Sequence, residues 1–251
     1  MPSQKVYIDH LLLQLSHEQF DRIPRWISDN FTVIDGGVHT GGWSRNKLIV
    51  FKDGTYLELF ALTALDPISA EASRERIVDA LASKPGDGRI GVTYLPPQEG
   101  GRKNAEGYTQ GESTPRDEFF PRGRTDAPFF CHDLTPRRRR VTFDLPSVTQ
   151  HASGATGIDR IEVLVPRDKF GAYTDLYTSI VGSSPQEDEG KAEFKLSAPG
   201  IASFSGSLCI RPAEIEADEL FLREKGVGIS SLVLRSEIGE SFSFPIVDYL
   251  Q

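Results

Sequence analysis

The stretch "IDHLLLQLSHEQF" (residues 8–20) lies over "IDRIEVLVPRDKF" (residues 158–170) when the sequence is shifted by 150 residues. In both copies an alternating, strand-like run precedes apolar residues at helical spacing. Strand-like segments follow each helical pattern: "FTVIDGG", "NKLIVFK" and "TYLELFAL" in the first copy, and "EFKLSAP" and "SFSGSLCIRP" in the second. Because such repeats are rarely accidental, the sequence predicts a βαβββ module used twice and a mixed α+β fold.

Each copy contains one predicted helix. The first helical pattern runs from Phe20 to Phe31, with Ser16 as its N-cap. The second runs from Phe170 to Ile180. We therefore expect one continuous helix after the first strand of each module.

The segment between the copies contains two further strand candidates, residues 89–95 and 128–134, on either side of a polar, Gly-rich loop at 96–127. Loops of this length are usually functional or irregular, so both a substrate lid and a passive surface excursion stay open. We also expect helices at about 70–84 and 214–225 and a strand at 227–237. The predicted division is a first module with its completing strands (1–150) and a second, degenerate module (151–251).

Composition excludes several classes of protein. The 251 residues carry a formal net charge of −8, which argues against a nucleic-acid binder. No stretch approaches 18 consecutive apolar residues, so we expect no membrane span. The N-terminus lacks a signal-peptide core, and we expect a cytoplasmic protein in which Cys131 and Cys209 are free thiols. The expected partner is a small-molecule substrate, and a homodimer is left open.

The first strand places a histidine among leucines. Alternation puts His10 and Gln14 on one face of the strand, and Leu11 and Leu13 on the other. A buried imidazole needs a hydrogen bond, a metal or a wet cavity, because an unpaired buried polar group is costly. The face that carries His10 is therefore a candidate functional surface.

Several stretches resemble the glyoxalase-like branch of the vicinal oxygen chelate superfamily. They are the "IDH" opening, "GGVHTGGWSRNKLIVFKDGTYLELFA" (36–61), and "PFFCH" (128–132) followed by "QHASGATGIDRIEVLVP" (150–166). The resemblance implies curved sheets around a cleft, and a metal held by the first and fourth strands. His10 matches the first position, and alternation in "TYLELFAL" puts Glu58 on the same face.

The resemblance implies a third ligand on the last completing strand, where His132 stands. Two histidines and one carboxylate suit Fe(II), Mn(II) or Zn(II). The remaining ligand position of the family falls at Gly91 or Thr93, neither of which replaces a histidine. The expected site is therefore either an open three-ligand site or one that has lost its metal, and His151 is a reserve ligand.

Further side chains are expected to line the cleft. By resemblance, the glycine-rich loop supplies His39, Trp43 and Asn46. The candidate catalytic residues are Glu58 and His39, as proton carriers. The candidate substrate contacts are Gln14, His39, Trp43, Asn46, Tyr56, Phe60 and Phe130.

The second copy departs from the metal pattern, because Arg160 replaces the histidine and Cys209 or Ile210 falls where Glu58 would align. It is either scaffold or an anion pocket around Arg160. Three functions therefore compete for the whole chain. They are a metal-dependent enzyme of lyase, isomerase or dioxygenase type acting on an oxygenated substrate, a metal-free acid–base enzyme, and a metal-free protein that binds or sequesters a small molecule.

Overall fold

A computed structural model describes residues 6–38, 44–62, 92–95, 128, 130–133, 136–188, 190–200, 205–237 and 240–244. The strands in these ranges are β1 (His10–Gln14), β2 (Ile34–Val38), β3 (Ser44–Val50), β4 (Tyr56–Leu62), β5 (Val92–Leu95), β6 (Phe130–Asp133), β7 (Ala155–Val165), β8 (Gln186–Asp188), β9 (Lys191–Ser197), β10 (Ser205–Pro212), β11 (Gly228–Ser236) and β12 (Ser241–Phe244). The helices are α1 (His17–Asp21), α2 (Arg25–Ser28), α3 (Pro146–Thr149), α4 (Phe170–Val181) and α5 (Glu216–Lys225), with 3₁₀ turns at Arg137–Arg139 and Arg167–Lys169.

The first module (β1 to β4) forms a four-stranded sheet in the order β1-β4-β3-β2. β1 runs parallel to β4, and the other neighbours are antiparallel. Ser16 caps α1 in a reciprocal capping box with Gln19, as expected. The expected continuous helix is wrong, because α1 ends at Asp21 and α2 begins after Pro24. Proline disfavours the helical conformation of the residue before it and has no N–H to donate.

The second module (β7 to β10) repeats this order as β7-β10-β9-β8, and β11 and β12 extend the same sheet beyond β7. β7 runs parallel to β10, as β1 does to β4. The strand after α4 that completes the second copy is β8. The repeated βαβββ architecture is thus confirmed, in a mixed α+β fold with curved sheets that do not close.

The chain divides into two compact units, one of Met1–Thr63 with Val141–Gln251 and one of Ala64–Arg140. Both βαβββ sheets belong to the first unit. In the second unit β5 and β6 form an antiparallel pair. The helix expected at 70–84 and the loop expected at 96–127 lie outside the described residues.

One face of the first sheet is an apolar packing surface. Leu57, Leu59 and Ala61 are buried on this face of β4, against which α1 packs with buried Phe20. Burying side chains of this size stabilises the fold by about 1.5–3 kcal/mol each.

Apolar side chains cover one end of the opposite face. There the buried side chains of Val50 and Tyr56 pack against Val141, with Phe143 and Val148 beside them. The other end of this face, beyond Tyr56 along β4, carries the polar residues of the candidate site. In the described part of the chain, no helix is long and apolar enough to cross a membrane.

Candidate functional site

His10 is held in one orientation by the strand beside it. It is the first residue of β1 and lies opposite Tyr56 in the register with β4. The two rings stack with centroids 4.5 Å apart and planes 8° apart, and the His10 side chain is 1% exposed. Tyr56 is itself buried, so its ring supports His10 and has little surface left for the substrate contact that we expected.

The Asp9 carboxylate sets the protonation of the His10 ring. Its Oδ1 lies 2.6 Å from His10 Nδ1. Because a carboxylate accepts hydrogen bonds, Nδ1 carries a proton and donates it, and Nε2 is the ring nitrogen on the side of Glu58. Sequence reasoning missed Asp9, because strict alternation sends it to the face opposite His10. Asp9 precedes β1, where alternation does not hold.

Glu58 lies on the same face as His10, as alternation predicts. It sits opposite Leu12 in the register, and its side chain is 6% exposed. Its Oε2 lies 3.4 Å from His10 Nε2, longer than an ordinary N–H···O hydrogen bond. The structure therefore places an imidazole nitrogen and a carboxylate oxygen side by side in a nearly buried site.

The other oxygen of Glu58 is held from the next strand. Asn46, on β3, donates from Nδ2 to Glu58 Oε1 over 2.7 Å. The backbone N–H of Gly37, on β2, donates to Asn46 Oδ1 over 2.9 Å. The amide of Asn46, one of the expected substrate contacts, thus links β2 to Glu58.

Beyond His10, the same face of the sheet carries more exposed side chains. Leu12 shares the face of His10 and is 45% exposed, and Gln14 beyond it is also exposed. Phe60 pairs with Gln14 in the register and is half-buried. Leu12, which the sequence analysis did not select, thus lies on the same face as His10 and is exposed.

Four of the predicted site residues have no described side chain. His39 and Trp43 lie outside the described residues. Phe130 and His132 are placed in β6, where the backbone puts His132 opposite Thr93, but their side chains lie outside the described part. The third metal ligand therefore stays a prediction.

His151 has a structural role, because both of its ring nitrogens bond to the backbone. Its Nδ1 accepts the backbone N–H of Thr32 over 3.1 Å, and its Nε2 donates to the carbonyl of Val50 over 3.0 Å. Burial lowers the pKa of His151, because the charged ring would lose its hydration. With both nitrogens engaged, His151 joins the end of β3 to the segment after α2 and has no lone pair left for a metal.

The second module carries internally paired charges on the equivalent face. Arg160 takes the position of His10 and lies opposite Ser207, and Cys209 lies opposite Glu162. An Arg160 nitrogen lies 3.8 Å from Glu162. Arg211 donates to the same carboxylate over 3.0 Å and binds Asp218 through two nitrogens, at 2.6 and 2.9 Å. These carboxylates balance the arginines, which weakens the case for an anion pocket.

The first-module residues fit a divalent cation. Two ligand atoms on a tetrahedral cation with bonds of about 2.1 Å lie about 3.4 Å apart, as His10 Nε2 and Glu58 Oε2 do. A histidine that donates its second N–H to a carboxylate is the usual outer support of such a ligand. Asp9 and Glu58 also supply the negative charge that a buried cation requires.

One comparison with known proteins shows the family. A model described as "Glyoxalase-like domain" matches residues 8–181, which is more than half of the chain. No protein with a curated description matches the sequence.

Among solved structures, methylmalonyl-CoA epimerase from Mycobacterium tuberculosis shares 22% identity over 33% of this chain and 57% of that chain, with a TM-score of 0.24. A xylose isomerase-like TIM barrel/4-hydroxyphenylpyruvate dioxygenase fusion protein shares 12% identity over 93% of this chain and 37% of that chain, with a TM-score of 0.40. A mutant 4-hydroxymandelate synthase from Streptomyces coelicolor shares 12% identity over 91% of this chain and 71% of that chain, with a TM-score of 0.42.

This chain thus spans little more than half of the first structure and about a third of the second. TM-scores below 0.5 add nothing to the strand order and register described above. The family model and the repeated βαβββ modules together confirm the expected resemblance to the vicinal oxygen chelate superfamily. The chain belongs to the glyoxalase-like domain family.

Proposed function

We propose that this chain is a small-molecule enzyme whose reacting centre is the His10–Glu58 pair and a divalent metal, Fe(II), Mn(II) or Zn(II), that the pair holds. The observation that carries the proposal is the 3.4 Å separation of His10 Nε2 and Glu58 Oε2, with Asp9 bound to the far side of the ring. His132 is the proposed third ligand. The proposal needs it, because a catalytic site has three protein ligands and an open position.

The chemistry follows from this arrangement. His10 and Glu58 would hold the cation, which would supply Lewis-acid chemistry toward a small oxygenated substrate. Asp9 keeps the His10 ring in one tautomer, and burial of both side chains keeps water away from them. The His39 imidazole is a proposed proton carrier, as is Glu58 Oε2 while it is not bound to the metal, and Leu12, Gln14 and Phe60 are proposed to line the entrance. Trp43 and Phe130 stay proposed substrate contacts, and the reaction class is of lyase, isomerase or dioxygenase type.

A metal-free acid–base enzyme is the second candidate, and one observation favours it. The His10 ring lies between two carboxylates, with Asp9 at Nδ1 and Glu58 near Nε2. Such a ring can carry a proton on both nitrogens and pass one to Glu58 or to a substrate. The third candidate, a binding protein, uses the same pocket without turnover. We propose a small molecule as the partner in all three cases, in the cytoplasm.

Metal analysis of the purified protein tests the proposal. We expect about one metal ion per chain in protein prepared without chelators, or one equivalent of Zn²⁺ or Mn²⁺ bound on titration. Glu58→Gln keeps the shape and removes the charge, so it should weaken binding by more than the 10–100-fold that an outer-shell change costs. Glu18→Gln is the matched control, because the Glu18 side chain is 85% exposed on α1.

Two results would overturn the metal proposal. One is wild-type protein with far less than one metal ion per chain and no thermal stabilisation by added Zn²⁺, Mn²⁺ or Fe(II). The other is a Glu58→Gln variant that binds metal as well as Glu18→Gln does. Turnover of a substrate by metal-free protein would then favour the acid–base enzyme, and ligand binding without turnover would favour the binding protein.

A further inference from the structure

The strand β2 contains a bulge beside the candidate site. Asp35 pairs with Lys47, but Gly37 already pairs with Asn46, so Gly36 is the extra residue. A Cβ on Gly36 would lie 2.0 Å from Asn46 Oδ1 and 2.9 Å from its Cγ, whereas a Cβ on Gly37 would meet nothing within 4 Å. Gly36 therefore leaves the space that the Asn46 side chain fills.

The bulge also determines which way the Asn46 amide points. The Gly37 N–H can only donate, so the Asn46 atom that faces it is the carbonyl oxygen. The NH₂ group then points at Glu58 Oε1, to which it donates over 2.7 Å. Oε1 is thereby engaged by the amide, and Oε2 is the oxygen nearest to His10, 3.4 Å from its Nε2.

We infer that Asn46 is a positioning residue, which the bulge at Gly36 and Gly37 holds so that Glu58 works through Oε2 alone. The inference deepens the proposed function and rests on it for its consequence: Glu58 binds the metal through one defined oxygen atom. It assigns the glycine pair a role that the resemblance did not supply.

Two neighbouring glycines provide a matched pair of variants. Gly36→Ala should displace the Asn46 amide, because its Cβ would clash with Oδ1, and Gly37→Ala should leave the amide in place, because its Cβ meets nothing. Both variants keep the Asn46 side chain itself. The first readout needs no metal: the side-chain NH₂ resonances of Asn46 by NMR. A hydrogen bond to a carboxylate is strong, so we expect these protons shifted downfield and slow to exchange in wild type and Gly37→Ala, and not in Gly36→Ala.

The second readout is the affinity for Zn²⁺ alone. We expect Gly36→Ala to weaken it by about 10–100-fold, as the loss of an outer-shell partner does, and Gly37→Ala to leave it within about twofold of wild type. If Gly36→Ala does not fold, Asn46→Ser removes the amide without a new Cβ contact and should weaken Zn²⁺ binding to the same extent.

The outcomes separate the inference from the proposed function. If wild type binds no Zn²⁺, the metal proposal fails, and the Asn46 resonances decide the inference alone. If wild type binds Zn²⁺ but Gly36→Ala, or Asn46→Ser in its place, binds it as tightly as wild type does, the inference is wrong and the proposed function stands. Ordinary, fast-exchanging Asn46 amide protons in wild type would also overturn the inference.

Discussion

Cys209 occupies in the second module the strand position that Glu58 occupies in the first. Glu58 lies opposite Leu12 in the pairing of β4 with β1, and Cys209 lies opposite Glu162, the residue 150 positions after Leu12, in the pairing of β10 with β7. Burial raises the pKa of the Cys209 thiol, which favours the protonated form over the thiolate that a metal requires. One module thus carries a donor pair and the other does not.

Metal binding should therefore survive changes in the second module. Cys209→Ser and Arg160→Gln should each keep the Zn²⁺ stoichiometry and affinity of wild type, because neither residue belongs to the His10–Glu58 pair. Titration calorimetry with Zn²⁺ measures both quantities, and Glu58→Gln serves as the positive control. If Cys209→Ser no longer bound Zn²⁺, the metal site would lie in the second module, which would contradict this prediction.

The pH dependence of stability should report His151. Its pKa is lowered in the folded protein by burial, while the unfolded value is about 6.5. Between these two values the unfolded chain binds more protons, so the free energy of unfolding falls as pH falls below about 6.5. Urea unfolding between pH 5 and 8 should show this slope in wild type and in His17→Gln, and a smaller slope in His151→Ala.

His151→Ala should also lower stability by about 2–4 kcal/mol at pH 8, because it strands two backbone groups and leaves a cavity. The groups are the Thr32 N–H and the Val50 carbonyl. Zn²⁺ affinity should not change. A variant as stable as wild type, with an unchanged slope, would contradict the role assigned to this histidine.

Several features of the site were accessible from the sequence because they depend on local rules. Alternation within β1 and within β4 gives each strand one apolar face, and packing both apolar faces against the helix puts His10 and Glu58 together on the other face. The capping box at Ser16 depends only on residues three apart. The use of the βαβββ module twice follows from the repeat of the sequence at an offset of 150 residues.

Other features depend on where a strand begins or how strands pair. Asp9 reaches His10 only because regular strand geometry starts one residue later. The role of Asn46 depends on an unpaired glycine in β2, and the equivalence of Cys209 rather than Ile210 to Glu58 depends on strand register. Neither bulge nor register is encoded in periodicity.

The junction between the modules should reject a side chain at Gly157. A Cβ there would lie 2.0 Å from Oδ2 of Asp53, a buried residue of the β3–β4 turn. Gly157→Ala should therefore destabilise the protein by about 1–3 kcal/mol. Gly171→Ala, in α4, meets nothing within 4 Å and should be neutral or stabilise by up to about 1 kcal/mol. Denaturant unfolding of the two variants tests this, and equal stabilities would contradict it.

The free energy of unfolding at low pH should depend on the ion pair between Asp218 and Arg211. Arg211 lowers the pKa of Asp218 to about 2. The ion pair stabilises the folded protein by roughly 2 kcal/mol at a pH above the unfolded pKa of Asp218, near 3.8. This stabilisation is lost as the pH falls toward 2. Asp218→Asn should lower the free energy of unfolding at pH 7 and approach wild type at pH 2 to 3. The exposed Asp144→Asn should match wild type at pH 7.

The central claim, that His10 and Glu58 together hold a metal, is tested most directly by ¹⁵N NMR of the His10 ring during addition of one equivalent of Zn²⁺. The account predicts that Nε2 shifts to a metal-bound value while Nδ1 keeps the proton that it donates to Asp9, and that Glu58→Gln abolishes the shift at the same zinc concentration. Unchanged His10 nitrogens in wild type, at zinc concentrations that shift other histidines, would contradict it.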